Sequence, residues 1–167
     1  MIGLKRGTVK LVPHNPKWEK LFEKEKKVLE KKLGNLVIDI EHVGSTSVPG
    51  ISAKPIIDIL VGINSMSDAK KCIIKIKSAG YQYMQDRGEP GRRFFFAKGS
   101  YARRTHYIHL VKYNGKIWEV QVLFAQYLRT HKNWARKYDA LKKELAVKFE
   151  KDREAYTLSK AKFIRET

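Results

Sequence analysis

The segment from His42 to Leu60, HVGSTSVPGISAKPIIDIL, constrains this chain more than any other stretch. An apolar run closes at Val43, and Gly44-Ser45 turns the chain out of it. A second run, KPIIDILVGI, is apolar at nearly every position, as in a strand covered on both faces, with Pro55 at its edge. Asp58 stands inside that run. A buried carboxylate is costly unless it is paired or binds a metal. The pattern therefore asks for a partner such as Lys54, or for a ligand.

Periodicity organises the rest. HNPKWEKLFEKEKKVLEKKLG predicts a helix with Asn15 as N-cap, Pro16 at its first position and Gly34 at its end. Leu36 to Val43 predicts a strand. Ser67 is read as the cap of a helix running to Ala79 and closed by Gly80. YQYM, RFFFA and THYIHLVKY predict strands, the last two a candidate antiparallel pair, with QDRGEPGRR and KGSYARR as loops. KIWEVQVLFAQYLR fits two forms. Asn114-Gly115 before alternating Trp118, Val120, Val122 and Phe124 suits a hairpin, whereas Ile117, Val120, Phe124, Tyr127 and Leu128 suit a helix. Trp134, Tyr138, Leu141, Leu145 and Phe149 mark a helix, and a short one follows near 157–165. The order indicates an α+β fold: a mixed sheet with helices mainly on one face and a C-terminal helical segment.

No repeat or linker interrupts the chain, so residues 1–167 read as one domain. One cysteine, Cys72, excludes an internal disulfide framework, and its apolar setting predicts a buried small hydrophobe. No run has the length of a membrane span, and the N-terminal segment does not read as a signal peptide, so the cytoplasm is the expected location. The net charge of +18, from 35 Lys+Arg against 17 Asp+Glu, attracts phosphates of any origin, and equally describes a solvated basic surface. Nucleic-acid binding through it would be salt-sensitive and without base reading. Phe94-Phe95-Phe96 reads as core rather than as a base-stacking platform. Oligomeric state leaves no mark in the sequence.

The chemistry concentrates around the Gly-Ser turn. Glycine admits close backbone approach, and exposed N–H groups there can hold an anion. The Ser45 hydroxyl can donate to a phosphate oxygen, and Ser45 or Thr46 can cap a following helix whose N-terminus attracts anions. An Asp-x-Asp strand places two carboxylates on one face and can hold two Mg2+ ions for nucleotidyl transfer. An apolar residue with Gly-Ser, then such a strand about a dozen residues on, is the signature of the nucleotidyltransferase superfamily, typified by DNA polymerase beta. Val43-Gly44-Ser45 and Asp58-Ile59-Leu60-Val61 match it except that Leu60 stands at the second acidic position.

The chain more closely resembles the GrpB family over nearly its whole length. LVPHNPKWEKLFEKE, IEHVGSTSVPGISAKPIIDILV, RRTHYIHLV, LFAQYLRTHKNWARKYDALKKELA and EAYTLSKAKFI carry the resemblance in order. It implies a nucleotidyltransferase-like fold and tips the segment 117–129 toward helix. It also implies a link to coenzyme A metabolism, since members are sometimes fused to dephospho-coenzyme A kinase.

Under these expectations a nucleotide or related phosphorylated ligand sits at Gly44, Ser45 and Thr46, with Mg2+ on Asp58 and Glu41 as a substitute carboxylate. His42 should point away from Glu41. His106 and His109, three apart, should face opposite sides of a strand, and His109 is the candidate for the site. Lys54, Arg93 and Arg104 are candidate ligand contacts, the arginines for their places at strand entrances. Lys160, sharing a helical face with Tyr156, is another. Because Leu60 replaces an acid, an enzyme, a ligand-binding or partner module, and a basic nucleic-acid binder all remain open readings.

Overall fold

The structure is a computed structural model describing residues 2–167. Its framework is a six-stranded mixed sheet. The strands are β1 (Leu4–Lys5), β2 (Val37–Val43), β3 (Ile57–Ile63), β4 (Gln82–Tyr83), β5 (Arg93–Ser100) and β6 (Arg103–Lys112). The helices are α1 (Lys17–Leu33), α2 (Ala69–Ser78), α3 (Lys116–Thr130), α4 (Lys132–Lys148) and α5 (Arg153–Glu166). The spatial order is β2-β3-β6-β5-β4, with β1 also on β6. Strands β3 and β6 run parallel; β1 with β6, β2 with β3, β5 with β6, and β4 with β5 are antiparallel.

Strand alternation divides β3 between two environments. Ile57, Ile59, Val61 and Ile63 join Ile40, Ile108 and Leu110 beneath α1 and α2, where Trp18, Phe22, Leu29, Leu33, Cys72 and Ile76 complete the main core. Each such side chain contributes roughly 1.5–3 kcal/mol on full burial. Asp58, Leu60 and Gly62 face the other way. There Leu60 packs with Val43, Val111 and Trp118. A β-carbon on Gly62 would come within 2.7 Å of the Trp118 ring, so the missing side chain is what lets α3 lie against the strand. Helices thus cover one face, and the C-terminal helical segment packs on part of the other.

The starting signals of α1 behave as read. Asn15 Oδ1 accepts from the Lys17 N–H at 3.0 Å, and Pro16 is already helical (φ −58, ψ −19). The cap of α2 lies two residues earlier than expected: Ser65 Oγ accepts from Ser67 N, and Met66–Asp68 enters as a 3-10 turn. Segment 116–130 is helix, not hairpin. Strands β5 and β6 extend into the expected KGSYARR loop, because backbone pairing continues through polar residues past a bulge between Lys98 and Gly99. Helix α5 begins at Arg153 because Asp152 caps it, accepting from Ala155 N.

Candidate functional site around Asp58

Gly44 ends β2 with φ +71 and ψ −178, a conformation that side chains other than hydrogen resist. Its α-carbon faces Asp58, and a β-carbon there would lie 2.8 Å from Asp58 Oδ2. Ser45–Ser47 forms a single 3-10 turn in place of the expected helix N-terminus. The loop thus brings the Ser45 side chain, and not a helix end, to the site. Arg129 holds the turn from α3, its Nε donating to Ser47 O at 2.9 Å and its Nη2 to His42 O at 2.8 Å.

The register places Asp58 opposite Tyr107, and Leu60 opposite His109. His109 Nε2 lies 3.4 Å from Asp58 Oδ1. The Asp58 side chain stays 32% exposed, enough to meet a ligand. Burial pushes its carboxyl up, but the His109 hydrogen bond, with His109, Lys54 and Lys160 nearby, outweighs that and holds it below the ordinary carboxylate range.

Two lysines approach this carboxylate, and two arginines lie beside its strand neighbour Tyr107. Lys54, between the turn and β3, and Lys160, on α5, lie over the same Tyr156 ring, at 5.1 and 4.6 Å from its centroid. Burial lowers Lys160 to about 8 and Lys54 well below the ordinary lysine value; neighbouring cations add to both effects and Asp58 opposes them. Arg87 and Arg153 flank Tyr107, the strand neighbour of Asp58, at 5.5 and 5.7 Å from its ring. The Tyr138 hydroxyl, from α4, faces Ser45 and Asp58. Among the described residues, seven buried side-chain polar atoms lack a hydrogen-bond partner, and three of them, Tyr107 Oη, His109 Nδ1 and Arg153 Nη2, belong to this cluster. Such orphaned groups are costly unless a polar partner meets them.

The structure therefore gathers Gly44, Ser45, Lys54, Asp58, His109 and Lys160 in one place. Other expected site residues lie elsewhere. Glu41 pairs with Leu60 and shares the Asp58 face. Its carboxyl, raised first by burial and then by Asp39, lies near Lys26 and Arg129 instead. Glu41 and Thr46 line a separate cleft of ≈ 730 Å³ beside α1. Thr46 Oγ1 is 3.0 Å from His42 Nε2, and His42 Nδ1 is 3.0 Å from Glu19 on α1, so His42, expected to point away from Glu41, lines the same cleft with it. Arg93 lies level with Val111 and pairs with Glu89 at 3.4 Å. Arg104 is buried and donates to Gly99 O and Gln82 Oε1, a structural engagement. His106 faces Glu25 and Lys98, and burial lowers it to about 4.

The side chains do not fit a two-ion Mg2+ centre. Asp58 is a lone carboxylate beside Lys54 and Lys160, Leu60 is fully buried in apolar contacts, and Glu41 is turned toward Lys26 and Arg129. No group of three or more His, Cys, Asp or Glu with metal-binding geometry occurs among the described residues. Arg87, Arg153, Tyr138 and Arg129 escaped the sequence reading. Tyr138 looked like one more apolar helix position, and nothing local singles out the arginines.

A mixed sheet carrying a basic site at a Gly-Ser turn defines the class of protein, and sequence comparison gives the family. The family model for GrpB protein matches residues 8–167, so the chain belongs to the GrpB family. It is 40% identical to the glutamate-rich protein GrpB of Alkalihalophilus pseudofirmus, over 99% of this chain and 97% of that protein. The crystal structure of GrpB from Enterococcus faecalis superposes with a TM-score of 0.83 at 32% identity, covering 94% of this chain and 93% of that one. A dephospho-CoA kinase of Mycolicibacterium paratuberculosis is 31% identical over 48% of this chain and 20% of its own length. Among the described residues no helix is long and apolar enough to cross a membrane.

Proposed function

We propose that this GrpB-family protein, read as nucleotidyltransferase-like in fold, binds a nucleotide or related phosphorylated ligand at the Gly44–Ser45 turn. The observation that carries the reading is the clustering of cations beside Asp58: Lys54 and Lys160 lie near its carboxylate and over Tyr156, and Arg87 and Arg153 lie against the neighbouring Tyr107. Cations held this close repel one another until an anion arrives. Ser45 supplies a hydroxyl donor, and the arginines supply forked donors suited to phosphate. In this reading an Nε2–H of His109 donates to Asp58 and leaves Nδ1, orphaned and buried, to accept a proton or hydrogen bond from the ligand.

A second reading, ligand binding without turnover, is favoured by Leu60. The fully apolar surroundings of this side chain remove the second carboxylate that nucleotidyl transfer would use. The partial similarity to a dephospho-CoA kinase makes coenzyme A precursors natural members of the test panel.

The test is a melting-temperature screen against nucleotides and coenzyme A precursors, with and without Mg2+. At least one phosphorylated compound should stabilise the wild type and not Ser45→Ala; a panel that moves nothing sinks the proposal. Product formation from the stabilising compound then separates an enzyme from a binding module. Nucleic-acid binding that survives Ser45→Ala and disappears with added salt would belong to the basic surface.

A further inference from the structure

We propose that this site holds a ligand's diphosphate without a divalent cation, the ammonium groups of Lys54 and Lys160 standing where a metal-dependent site would place its ions. The inference rests on the binding reading above and deepens it by naming what neutralises the phosphates.

Three observations carry it. The first is the donor set. A site for two divalent ions needs several anionic oxygens fixed by the protein. Here the second acidic position is Leu60, packed against Val43, Val111 and Trp118. The nearby Glu41 faces Lys26, Arg129 and Asp39.

The second is the placement of the lysines. They come from distant parts of the chain, yet both ammonium groups converge on Tyr156. Neither makes a hydrogen bond or close ion pair with a side chain among the described residues, although Asp58 lies near enough to act on both. Elsewhere in the same protein half-buried or buried lysines do have such partners: Lys98 with Glu25 at 2.9 Å, and Lys142 with Asp139 at 3.8 Å. The unpaired state of Lys54 and Lys160 is local to the site.

The third is charge. Two lysines and two arginines gather beside Asp58, Lys54 and Lys160 over Tyr156 and Arg87 and Arg153 against Tyr107, and a diphosphate would bring the negative charge this cluster lacks. A divalent ion placed on Asp58 would increase the repulsion, whereas a diphosphate removes it. The orphaned Arg153 Nη2 and Tyr107 Oη add donors for the remaining phosphate oxygens.

The experiment uses inorganic pyrophosphate as the probe, titrated calorimetrically into the full chain in excess EDTA and again in excess Mg2+. Binding should be present in EDTA, and Lys54→Met and Lys160→Met should each weaken it roughly tenfold or more. Circular dichroism on each variant checks that it folds. Binding that appears only with Mg2+ overturns this inference and leaves the binding reading intact. Absence of binding in both buffers overturns the inference; the nucleotide and coenzyme A panel then decides the broader reading separately.

A chemical label provides a route that does not depend on the variants folding. Pyridoxal phosphate carries both an aldehyde and a phosphate, so an amine in the site condenses with the aldehyde, losing water, and borohydride reduces the imine. Peptide mapping in EDTA should find Lys54 or Lys160 labelled ahead of the surface lysines and protected by pyrophosphate. Labelling spread evenly over the surface, without protection, contradicts the proposal.

Discussion

Gly44 and Asp58 touch across the β2–β3 pair so closely that no side chain fits between them: a β-carbon at position 44 would lie 2.8 Å from Asp58 Oδ2. The same glycine has φ +71. Gly44→Ala therefore meets both backbone strain and a clash, and should destabilise the fold by about 1–3 kcal/mol. Adding Asp58→Ala relieves the clash, so the double variant should lose less than the sum of the two singles. Urea unfolding of the four proteins measures this; strict additivity would mean the contact has no energetic weight.

Leu60 provides a sharper test of the motif. Writing an acid into the second position, Leu60→Asp, restores the sequence pattern but puts a carboxylate among Val43, Val111 and Trp118. The loss of apolar packing alone should cost about 2–5 kcal/mol. The expected outcome is a lower melting temperature that added Mg2+ does not recover. Recovery by Mg2+ would show that position 60 still belongs to a metal site.

Lys142 should give the protein an alkaline rise in stability. It is buried and donates to the Ser52 carbonyl. Burial first, and then the opposing influence of Asp139, leave it lowered from 10.5 to about 7. Between those values the unfolded chain holds a proton that the folded chain has released, so stability increases with pH through that window, and the cost is fully present below pH 7. Lys142→Met should remove this rise and stabilise the protein at pH 6 by about 1 kcal/mol. Melting temperatures from pH 6 to 10 check it. A variant that loses most stability at low pH would contradict the assignment.

Glu25 ties α1 to the β4–β5 edge of the sheet. Its carboxylate accepts from Tyr81 at 2.8 Å and from Lys98 at 2.9 Å. Burial pushes it up, but Lys98 and Tyr81 outweigh burial and lower it overall. The associated stability is present above the unfolded carboxylate value and is lost as pH falls through the lower folded value. Glu25→Ala leaves Lys98 and the buried Tyr81 hydroxyl unpaired and should cost about 2–4 kcal/mol at neutral pH. Chemical denaturation at pH 7 and at acid pH should show the penalty shrinking in acid; a penalty independent of pH would rule out an ionic origin.

Much of this arrangement is legible in the chain because it depends on local alternation. The single acid in the apolar run 56–63 stands out against a buried strand, and two-residue parity separates His109 from His106. What alternation does not convey is where a long side chain from a distant element arrives. Arg153 and Arg87 reach Tyr107 through tertiary packing, and Glu41 shares the face of Asp58 yet turns toward Lys26 and Arg129. The cap of α2 shifted for a simpler reason. Ser65 and Ser67 are both competent caps, and the 3-10 entry turn favours the earlier one. The hairpin of β5 and β6 continues past its apolar residues because backbone pairing does not require them.

The central claim is that the turn at Ser45 and the ammonium of Lys160 hold the same phosphorylated ligand. A crystal structure of the protein with whichever nucleotide or coenzyme A precursor stabilises it most tests this directly. Phosphate density is expected within hydrogen-bonding distance of Ser45 Oγ and Lys160 Nζ, on the open side of Asp58. Phosphate density in the separate cleft beside Glu41, His42 and Thr46, with the Asp58 site holding none, would contradict it.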